Sequence, residues 1–321
     1  MIVTLTPNPS VDHTVELDGR LERGTVLRTR AESSQAGGKG VNISRAATLA
    51  AVPTVAVVPT RPEDPFVQEL HRAGIDCRTV PSDGPVRVNI AVTEPDGTTT
   101  KLNAPGTPPS TDTLAALEKC LLEQAAGAAW VVLAGSLPPG TPDRWYADLV
   151  GVLRSAPARV AVDTSGDPLL ALVAGLSVAA PHLMKPNGHE LASLTGADPD
   201  AVESDPLAAA SAARALVAGG VEAVLATLGP HGAVLVTAEG AWHADPPPTT
   251  VVSTVGAGDS SLFGYLLGHL RGQAPDACLA SAVAYGSAAA ALPGTTIPRP
   301  SQVRTDQVSV RPIDLTQGDA R

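Results

Sequence analysis

The most constraining feature of this sequence is the alternation of short, apolar, β-rich runs with Ala- and Leu-rich segments of helical length. The β-rich runs lie at 2–5, 55–58, 130–133, 160–162, 224–225 and 234–236, and helical segments such as 111–126 and 206–218 lie between several of them. This alternation is typical of βαβ units and predicts a largely parallel sheet covered by helices on both faces. Ligands of such sheets bind beyond the carboxyl ends of the strands, so the loops that follow strands are expected to carry the chemistry.

The composition limits the classes of protein to which the chain can belong. Hydrophobic residues make up 44% of the 321 residues and charged ones 17%, which is typical of a folded globular chain. The formal net charge of −10 argues against binding to nucleic acid, because contact with a phosphate backbone needs an excess of Lys and Arg. No apolar stretch reaches membrane-spanning length and the N-terminus has no signal-peptide pattern, so we expect no membrane association and a cytoplasmic protein.

The cysteines and histidines indicate neither a disulfide framework nor a zinc site. Cys77, Cys120 and Cys278 are far apart and form no C-x-x-C pair. The seven histidines show no ligand spacing such as H-E-x-x-H. Any metal ion is therefore expected to bind through oxygen ligands.

Two polar, turn-rich segments, 10–35 and 84–104, interrupt the alternation and predict the strands of a small second layer. In the second segment, residues 87–93 alternate with period two, and a turn at 94–98 separates them from 99–103. This pattern predicts a β-hairpin.

The loop of this hairpin determines its register. Pro95-Asp96-Gly97 suits a type I turn closed by Gly97 in the left-handed region, which pairs Glu94 with Thr98 and sets Ala91 opposite Lys101. Side chains alternate between the two faces of a strand. One face is therefore polar and the other apolar: Arg87, Asn89, Lys101 and Asn103 share the first, and Val88, Ile90, Val92 and Leu102 share the second.

Two interpretations of the hairpin are open. In one, it is an edge of the fold with a solvated polar face, since edge strands commonly carry Lys and Arg. In the other, it is a lid whose polar face binds an anionic, hydroxylated ligand and whose apolar face packs against a partner such as a second subunit.

Residues 253–260 are the strongest candidate for a catalytic site. The run Gly256-Ala257-Gly258-Asp259 precedes apolar residues at helical spacing, so a loop of small residues opens a helix. The free N–H groups and the positive dipole end of such a helix bind anions, including phosphate. Asp259 is then either an N-cap of the helix or a base that accepts a hydroxyl proton during phosphoryl transfer.

Two further motifs contain candidate ligand-binding residues. In 36–46 the glycines allow close approach of a ligand and Asn42 supplies a donor and an acceptor, although a tight turn without a ligand uses glycines in the same way. This segment is not a Walker loop, because neither Ser nor Thr follows Lys39. In 185–191, Asn187 and Glu190 share one side of a helix start, where they either hold Mg²⁺, mostly through water, or cap the helix.

Taken together, these motifs resemble those of the ribokinase-like sugar kinases of the PfkB family, and within it most of all the bacterial 1-phosphofructokinases and tagatose-6-phosphate kinases. Both family signatures are present, the glycine-rich one at 36–46 and the GAGD one at 253–264. The other matching segments stand in the family's order at 6–12, 135–140, 163–166, 185–191 and 227–233, with the hairpin among them. The resemblance covers about residues 2–298.

The resemblance implies a role for each matching residue. Contacts to sugar hydroxyls are implied for Asp12, Gly38 and Asn42, and proximity to the phosphate of the sugar for Lys39, Arg87, Lys101 and Ser136. Asp259 matches the catalytic base, and Gly256, Ala257 and Gly258 match the anion hole. The ATP cleft is implied for Lys185, Asn187, Thr227, Gly229, Gly258 and Ser287, and the magnesium-associated motif for Asn187 and Glu190.

The resemblance also implies the architecture and the activity. The expected fold is a ribokinase-like three-layer α/β/α sandwich with a mostly parallel central sheet and a small β-sheet lid. A kinase domain would span 1–300, with lid segments at about 10–35 and 84–104 and a C-terminal tail at 301–321, and the lid would form a homodimer. We expect ATP- and Mg²⁺-dependent phosphorylation of a ketohexose phosphate, first of all fructose 1-phosphate. Tagatose-6-phosphate or 6-phosphofructokinase activity, or a non-catalytic sugar-phosphate sensor, are the alternatives.

One segment departs from the family pattern. Many members have a glycine-rich stretch after the second core strand, whereas residues 59–65 of this chain read Pro-Thr-Arg-Pro-Glu-Asp-Pro. We expect this loop to be stiffer and differently shaped.

Overall fold

Strands and helices alternate along residues 1–315, the part of the chain that the computed structural model describes. The strands are β1 (Ile2–Leu5), β2 (Ser10–Leu17), β3 (Thr29–Gly37), β4 (Thr54–Pro59), β5 (Asp76–Val80), β6 (Arg87–Thr93), β7 (Thr99–Leu102), β8 (Trp130–Ala134), β9 (Arg159–Asp163), β10 (Leu183–Met184), β11 (Ala223–Thr227), β12 (Ala233–Thr237), β13 (Gly240–Asp245) and β14 (Ser309–Ile313). All six predicted β-rich runs lie in strands.

The helices follow the same alternation. They are α1 (Lys39–Leu49), α2 (Pro65–Arg72), α3 (Thr111–Ala125), α4 (Trp145–Leu153), α5 (Asp167–Ala174), α6 (Gly188–Thr195), α7 (Pro199–Ser204), α8 (Pro206–Ala218), α9 (Ala257–Leu270) and α10 (Pro275–Ala290). Short 3₁₀ turns lie at Gly229–His231, Pro300–Gln302 and Thr305–Gln307. The two helices predicted at 111–126 and 206–218 are therefore α3 and α8.

Ten strands form the large sheet, in the order β14-β13-β12-β11-β10-β9-β8-β1-β4-β5. Neighbours from β11 to β5 are parallel, and β11 to β14 pair antiparallel. Neighbouring residues of a strand point to opposite faces of the sheet and belong to different hydrophobic cores. Val3 belongs to the core that contains residues of α3, α4 and α8, whereas Ile2 belongs to the core that contains residues of α1, α9 and α10. This arrangement confirms the predicted three-layer α/β/α sandwich.

The carboxyl ends of the parallel strands bring polar residues to one edge of the large sheet. Asp163 is the last residue of β9, Lys185 directly follows β10, and Thr227 is the last residue of β11. Thr227 also forms an isolated parallel bridge with Asn187, which draws the ends of β10 and β11 together. Polar residues therefore gather at the carboxyl ends of the strands, where the sequence analysis expected the chemistry.

The small sheet has the order β3-β2-β6-β7, with β2 and β6 parallel and the other pairs antiparallel. Its hairpin has the predicted register: Ala91 pairs with Lys101, and Glu94 N donates to Thr98 O at 2.8 Å. Gly97 has φ 89°, the left-handed conformation that the three-residue loop requires. The loop chemistry was thus sufficient to predict how the strands pair.

Part of the predicted tail, Ser309–Ile313, forms strand β14, which extends the large sheet by pairing with β13. Val308 and Val310 are half-buried and pack against the core that contains α9 and α10, which stabilises the position of this strand. Residues 316–321, the rest of the predicted tail, lie outside the described residues. Among the residues described, no helix combines the length and apolar character needed to span a bilayer.

The proline-rich loop 59–65 leads into the first turn of helix α2. Asp64 is the N-cap of α2 and accepts a hydrogen bond of 2.9 Å from Phe66 N, while Pro65 occupies the first helical position. Proline fits that position because its missing N–H would have no partner there. The departure from the family pattern therefore gives a defined loop.

Candidate active site

A cleft of about 1150 Å³ lies at the carboxyl ends of the parallel strands. It is lined by most of the residues that the sequence singled out: Asp12, Gly38, Lys39, Asn42, Lys185, Asn187, Glu190, Thr227, Gly229, Gly256, Ala257, Gly258, Asp259 and Ser287. The two glycine-rich motifs and the 185–191 motif therefore face one space. A cleft of this size lies just above the usual range of about 300–1,000 Å³ for small-molecule sites.

The geometry of the first turn of α9 shows whether Asp259 caps this helix. Gly256 is the N-cap, with φ 78°, and no side chain caps this helix. Asp259, three positions further on, instead accepts a hydrogen bond of 2.7 Å from Asn42 Nδ2. Its carboxylate is therefore not a helix cap, and it lies buried in the cleft beside the first-turn amides.

The environment of Asp259 favours its protonated form more than water does. Burial raises the pKa of this carboxyl, and the charge of Asp163 raises it further. Lys39, the Asn42 hydrogen bond and Lys185 act in the opposite direction without cancelling the rise. A carboxyl group with a raised pKa binds a proton more tightly than an ordinary Asp, which favours a role as a proton acceptor.

A buried carboxylate joins two lysines of the cleft. Lys39 Nζ donates to Asp163 Oδ1 at 2.6 Å, and Lys185 Nζ lies 3.2 Å from Asp163 Oδ2. Burial would raise the pKa of Asp163, but the two ammonium groups reverse this and hold its pKa below the usual range. Burial would likewise lower the pKa of Lys39, and the carboxylates of Asp163 and Asp259 more than reverse it, so its pKa is raised.

Lys185 lies at the start of α9. A Cβ atom added to Gly258 would lie 3.2 Å from Lys185 Nζ, so the absence of a side chain at 258 lets the ammonium group approach the backbone. The amides of the helix start and this ammonium group therefore face the same part of the cleft. Such an arrangement stabilises a phosphoryl group.

Asp12 is the residue of the small sheet that enters the cleft. Its Oδ1 accepts hydrogen bonds from Ser10 Oγ at 2.8 Å and from Asn89 Nδ2 at 3.0 Å. Its carboxylate also rests on Gly37, where a Cβ would overlap Oδ2. The polar face of the small sheet thus holds Asp12 in one orientation toward the cleft.

Arg87 lies outside the main cleft, opposite Ser10 on the strand that also carries Asp12. It lines a small cavity of about 30 Å³ together with Pro59 of the proline-rich loop and Pro138. Its Nη1 donates to Ala104 O at 2.8 Å, and its Nε is buried without a hydrogen-bond partner in the described chain. Lys101 and Ser136 are exposed and line neither of these two cavities.

Asn187 and Glu190 form a reciprocal capping box at the start of α6. Glu190 N donates to Asn187 Oδ1 at 2.8 Å, and Asn187 N donates to Glu190 Oε2 at 2.9 Å. One oxygen of each side chain is thus used by the helix, while the other Glu190 oxygen is left for a ligand. Residues 1–315 contain no group of three or more His, Cys, Asp or Glu side chains that could hold a metal ion by themselves.

Sequence reasoning missed part of the site. Asp163 belongs to a matching segment, and it directly follows the buried run 160–162, yet no pattern indicated that it binds Lys39 and Lys185. His189, Glu203 and Val251 also line the cleft and were not singled out. The available signal for Asp163 was an acidic residue at the carboxyl end of a buried parallel strand.

Comparisons with known proteins agree with this geometry. Residues 5–302 match the model of the pfkB family carbohydrate kinases. The chain is 36% identical over 312 residues to the 1-phosphofructokinase of Haloferax volcanii, covering 97% of each chain. It is 36% identical over 269 residues to that of Xanthomonas campestris, covering 82% of each.

A solved structure also matches the fold. The phosphofructokinase-2 of Escherichia coli, crystallised with substrates and products, superimposes with a TM-score of 0.86 at 30% identity. The match covers 95% of this chain and 97% of that one. It confirms the predicted fold class.

Proposed function

We propose the function from one premise: the chain belongs to the pfkB family of carbohydrate kinases. The protein transfers the γ-phosphoryl group of ATP to a hydroxyl of fructose 1-phosphate and releases fructose 1,6-bisphosphate and ADP. The observation that carries the proposal is the buried Asp259 carboxylate, which lies in the cleft in the first turn of α9 and is bound to Asn42. The two relatives named 1-phosphofructokinase support fructose 1-phosphate as the acceptor.

Asp259 acts as the general base. It accepts the proton of the sugar hydroxyl while the hydroxyl oxygen attacks the γ-phosphorus of ATP and ADP leaves. The raised pKa of this carboxyl suits that role, because the group has a higher proton affinity than an ordinary Asp. The hydrogen bond from Asn42 orients the carboxylate.

The migrating phosphoryl group is stabilised by the backbone amides of Gly256, Ala257 and Gly258 and by the ammonium group of Lys185. These groups are fixed before the substrates bind, so they stabilise the developing charge without reorganising. Thr227, Gly229 and Ser287 also line the cleft and are assigned to the binding of ATP.

The donor set at the start of α6 fits Mg²⁺. This ion keeps several waters and binds through one or two carboxylates together with substrate phosphates, so it does not need a cage of protein ligands. Glu190 has one oxygen outside the capping box, and Asn187 lies beside it. When bound there, Mg²⁺ would neutralise part of the phosphate charge of ATP.

The acceptor is held by residues of the small sheet, of the start of α1 and of the loop after β8. Asp12 and Asn42 bind sugar hydroxyls, with Gly38 allowing close approach, and Arg87, Lys101, Lys39 and Ser136 attract the phosphate that the sugar carries. A phosphorylated sugar requires fixed cations that a free sugar does not, and Arg87 supplies one on the small sheet. Closure of the small sheet over the cleft excludes water, which would otherwise compete as the acceptor.

A coupled assay of ADP release tests the function across fructose 1-phosphate, fructose 6-phosphate, tagatose 6-phosphate, free fructose and ribose. We expect the highest kcat/KM with fructose 1-phosphate and at least tenfold lower values with both free sugars. A higher kcat/KM with a 6-phosphate would assign the protein to that acceptor instead. Binding of a sugar phosphate without any turnover would identify a sensor.

We further propose that the protein is a cytoplasmic homodimer joined through the outer face of the small sheet. Val88 and Leu102 on that face are 47% and 58% exposed, which is costly for neighbouring apolar side chains without a partner. Light scattering after size exclusion should give twice the chain mass for the wild type and one chain mass for Val88→Asp/Leu102→Asp. Val178→Asp, at an exposed site outside the small sheet, is the matched control and should stay dimeric. A monomeric wild type would contradict the proposal.

A further inference from the structure

Asp163 connects two cations through its two carboxylate oxygens. Its Oδ1 accepts from Lys39 Nζ at 2.6 Å, and its Oδ2 lies 3.2 Å from Lys185 Nζ. Asp163 is 1% exposed and Lys185 is 5% exposed, so neither group is solvated. The chain has only four lysines, the others being Lys101 and Lys119, so half of them meet at this one carboxylate.

The two lysines approach the reaction from different sides. Lys39 follows Gly38 and shares α1 with Asn42, the residues to which the proposed function assigns the sugar. Lys185 lies against Gly258 at the start of α9, to which the proposed function assigns the phosphoryl group of ATP. Asp163 therefore links an acceptor-side cation to a donor-side cation.

We infer that Asp163 is a positioning residue that fixes Lys39 on the acceptor side and Lys185 on the donor side of the phosphoryl-transfer path. This inference rests on the proposed function, because it assumes that a phosphoryl group passes between these two cations. Asp163 itself does not touch the reacting atoms; it acts through the two ammonium groups.

The physical need for such a residue follows from the flexibility of lysine. A lysine side chain has four rotatable carbon–carbon bonds, so an unpaired ammonium group does not keep a single position. A misplacement of about 1 Å at a reacting centre lowers the rate about 100-fold. One carboxylate that binds both ammonium groups sets their separation as well as their individual positions.

The backbone around Asp163 is suited to this task. Gly135 N donates to Asp163 O at 2.9 Å, and Thr164 Oγ1 donates to Gly135 O at 2.9 Å. These two hydrogen bonds connect Gly135, directly after β8, to Asp163 and Thr164 at the end of β9. The carboxylate is therefore presented by the rigid end of a central strand and not by a loop.

Asp163→Asn and Asp163→Glu test the inference, because the first removes the charge and the second displaces it by one methylene. We expect kcat to fall about 100-fold in Asp163→Asn and about tenfold in Asp163→Glu, with a smaller change in KM for either substrate. In a Lys39→Met background, Asp163→Asn should lower kcat by a smaller factor than in the wild type. One of the two ammonium groups that Asp163 positions is already missing in that background. Asp148→Asn, which removes the exposed partner of Arg144 on α4, is the control and should leave kcat unchanged.

Lysine-selective NMR tests the positioning without any substrate. Four lysines give four sets of ε-methylene signals, which Lys→Arg variants assign. A fixed side chain shows two distinct ε-proton shifts, whereas a mobile one shows a single averaged shift. We expect distinct shifts for Lys39 and Lys185 in the wild type and averaged shifts in Asp163→Asn, with the exposed Lys119 averaged in both.

The two experiments separate failure of the inference from failure of the proposed function. If the wild type phosphorylates none of the ketoses, the proposed function fails, while the NMR measurement still reports whether Asp163 orders the lysines. The inference is overturned if a folded variant keeps kcat within about threefold of wild type, or if kcat falls while both lysines stay ordered. Thermal unfolding monitors folding; failure of both variants to fold would assign Asp163 to the fold and also overturn the inference.

Discussion

Asn42 Nδ2 donates a hydrogen bond of 2.7 Å to Asp259 Oδ2 and thereby joins the first turns of two helices, α1 and α9. The two residues are 217 positions apart and belong to the two glycine-rich motifs. Asn42 Oδ1 is buried and has no hydrogen-bond partner in the described part of the chain. The amide therefore orients the base with one end and is available to a sugar hydroxyl with the other.

Asp259→Asn should lower kcat by about 10³-fold or more while ATP binding changes little, because the amide cannot accept the hydroxyl proton but has nearly the same shape. Steady-state kinetics and calorimetric titration with ATP measure the two effects. Asp276→Asn is a matched control, since Asp276 also lies in the first turn of a helix, α10, but outside the cleft. Near-normal turnover of Asp259→Asn would remove this residue from the role of base.

The pH dependence of kcat/KM should report the environment of Asp259. The base must be ionised, so activity is lost as pH falls through its pKa, and burial places that limb above the ordinary Asp value of about 3.9. The Asn42 hydrogen bond lowers this pKa, so Asn42→Ala should move the acidic limb to higher pH. Profiles of both proteins on the same substrate measure the shift. An unchanged limb, or one moved to lower pH, would contradict the interpretation.

Arg87→Ala should raise KM for the sugar phosphate about 10- to 100-fold and change KM for ATP less than threefold. The expected loss corresponds to about 1.5–3 kcal/mol for a hydrogen bond to a charged group. Arg78→Ala is the control, because Arg78 also lies on a strand but pairs with the exposed Asp76. An equal rise in both KM values would count against a role of Arg87 in binding the acceptor phosphate.

The predictable parts of this site are those that depend on local chemistry. The hairpin register followed from Gly97 and its loop, and the helix start at Gly256 followed from a run of small residues before an apolar one. The pairing of Asp163 with Lys39 and Lys185 was not predictable, because it depends on where three separate strand and helix ends meet. The spacing of Asn187 and Glu190 is compatible both with a capping box and with a pair of metal ligands whose side chains do not bind the helix. The two reciprocal hydrogen bonds that form the capping box are seen only in the structure.

Gly264→Ala should destabilise the protein by about 1–3 kcal/mol, because the added methyl group overpacks the contact between α9 and α10. Its Cβ would lie 2.9 Å from Ala282 Cα and closer still to the carbonyl oxygen of Ser281, and backbone atoms cannot rotate away. Because α9 also carries Asp259, displacement of this helix should lower kcat as well. Urea unfolding and steady-state kinetics measure both effects. Gly19→Ala, whose Cβ would meet no atom within 4 Å, is the control, and equal stability of the two variants would contradict the packing argument.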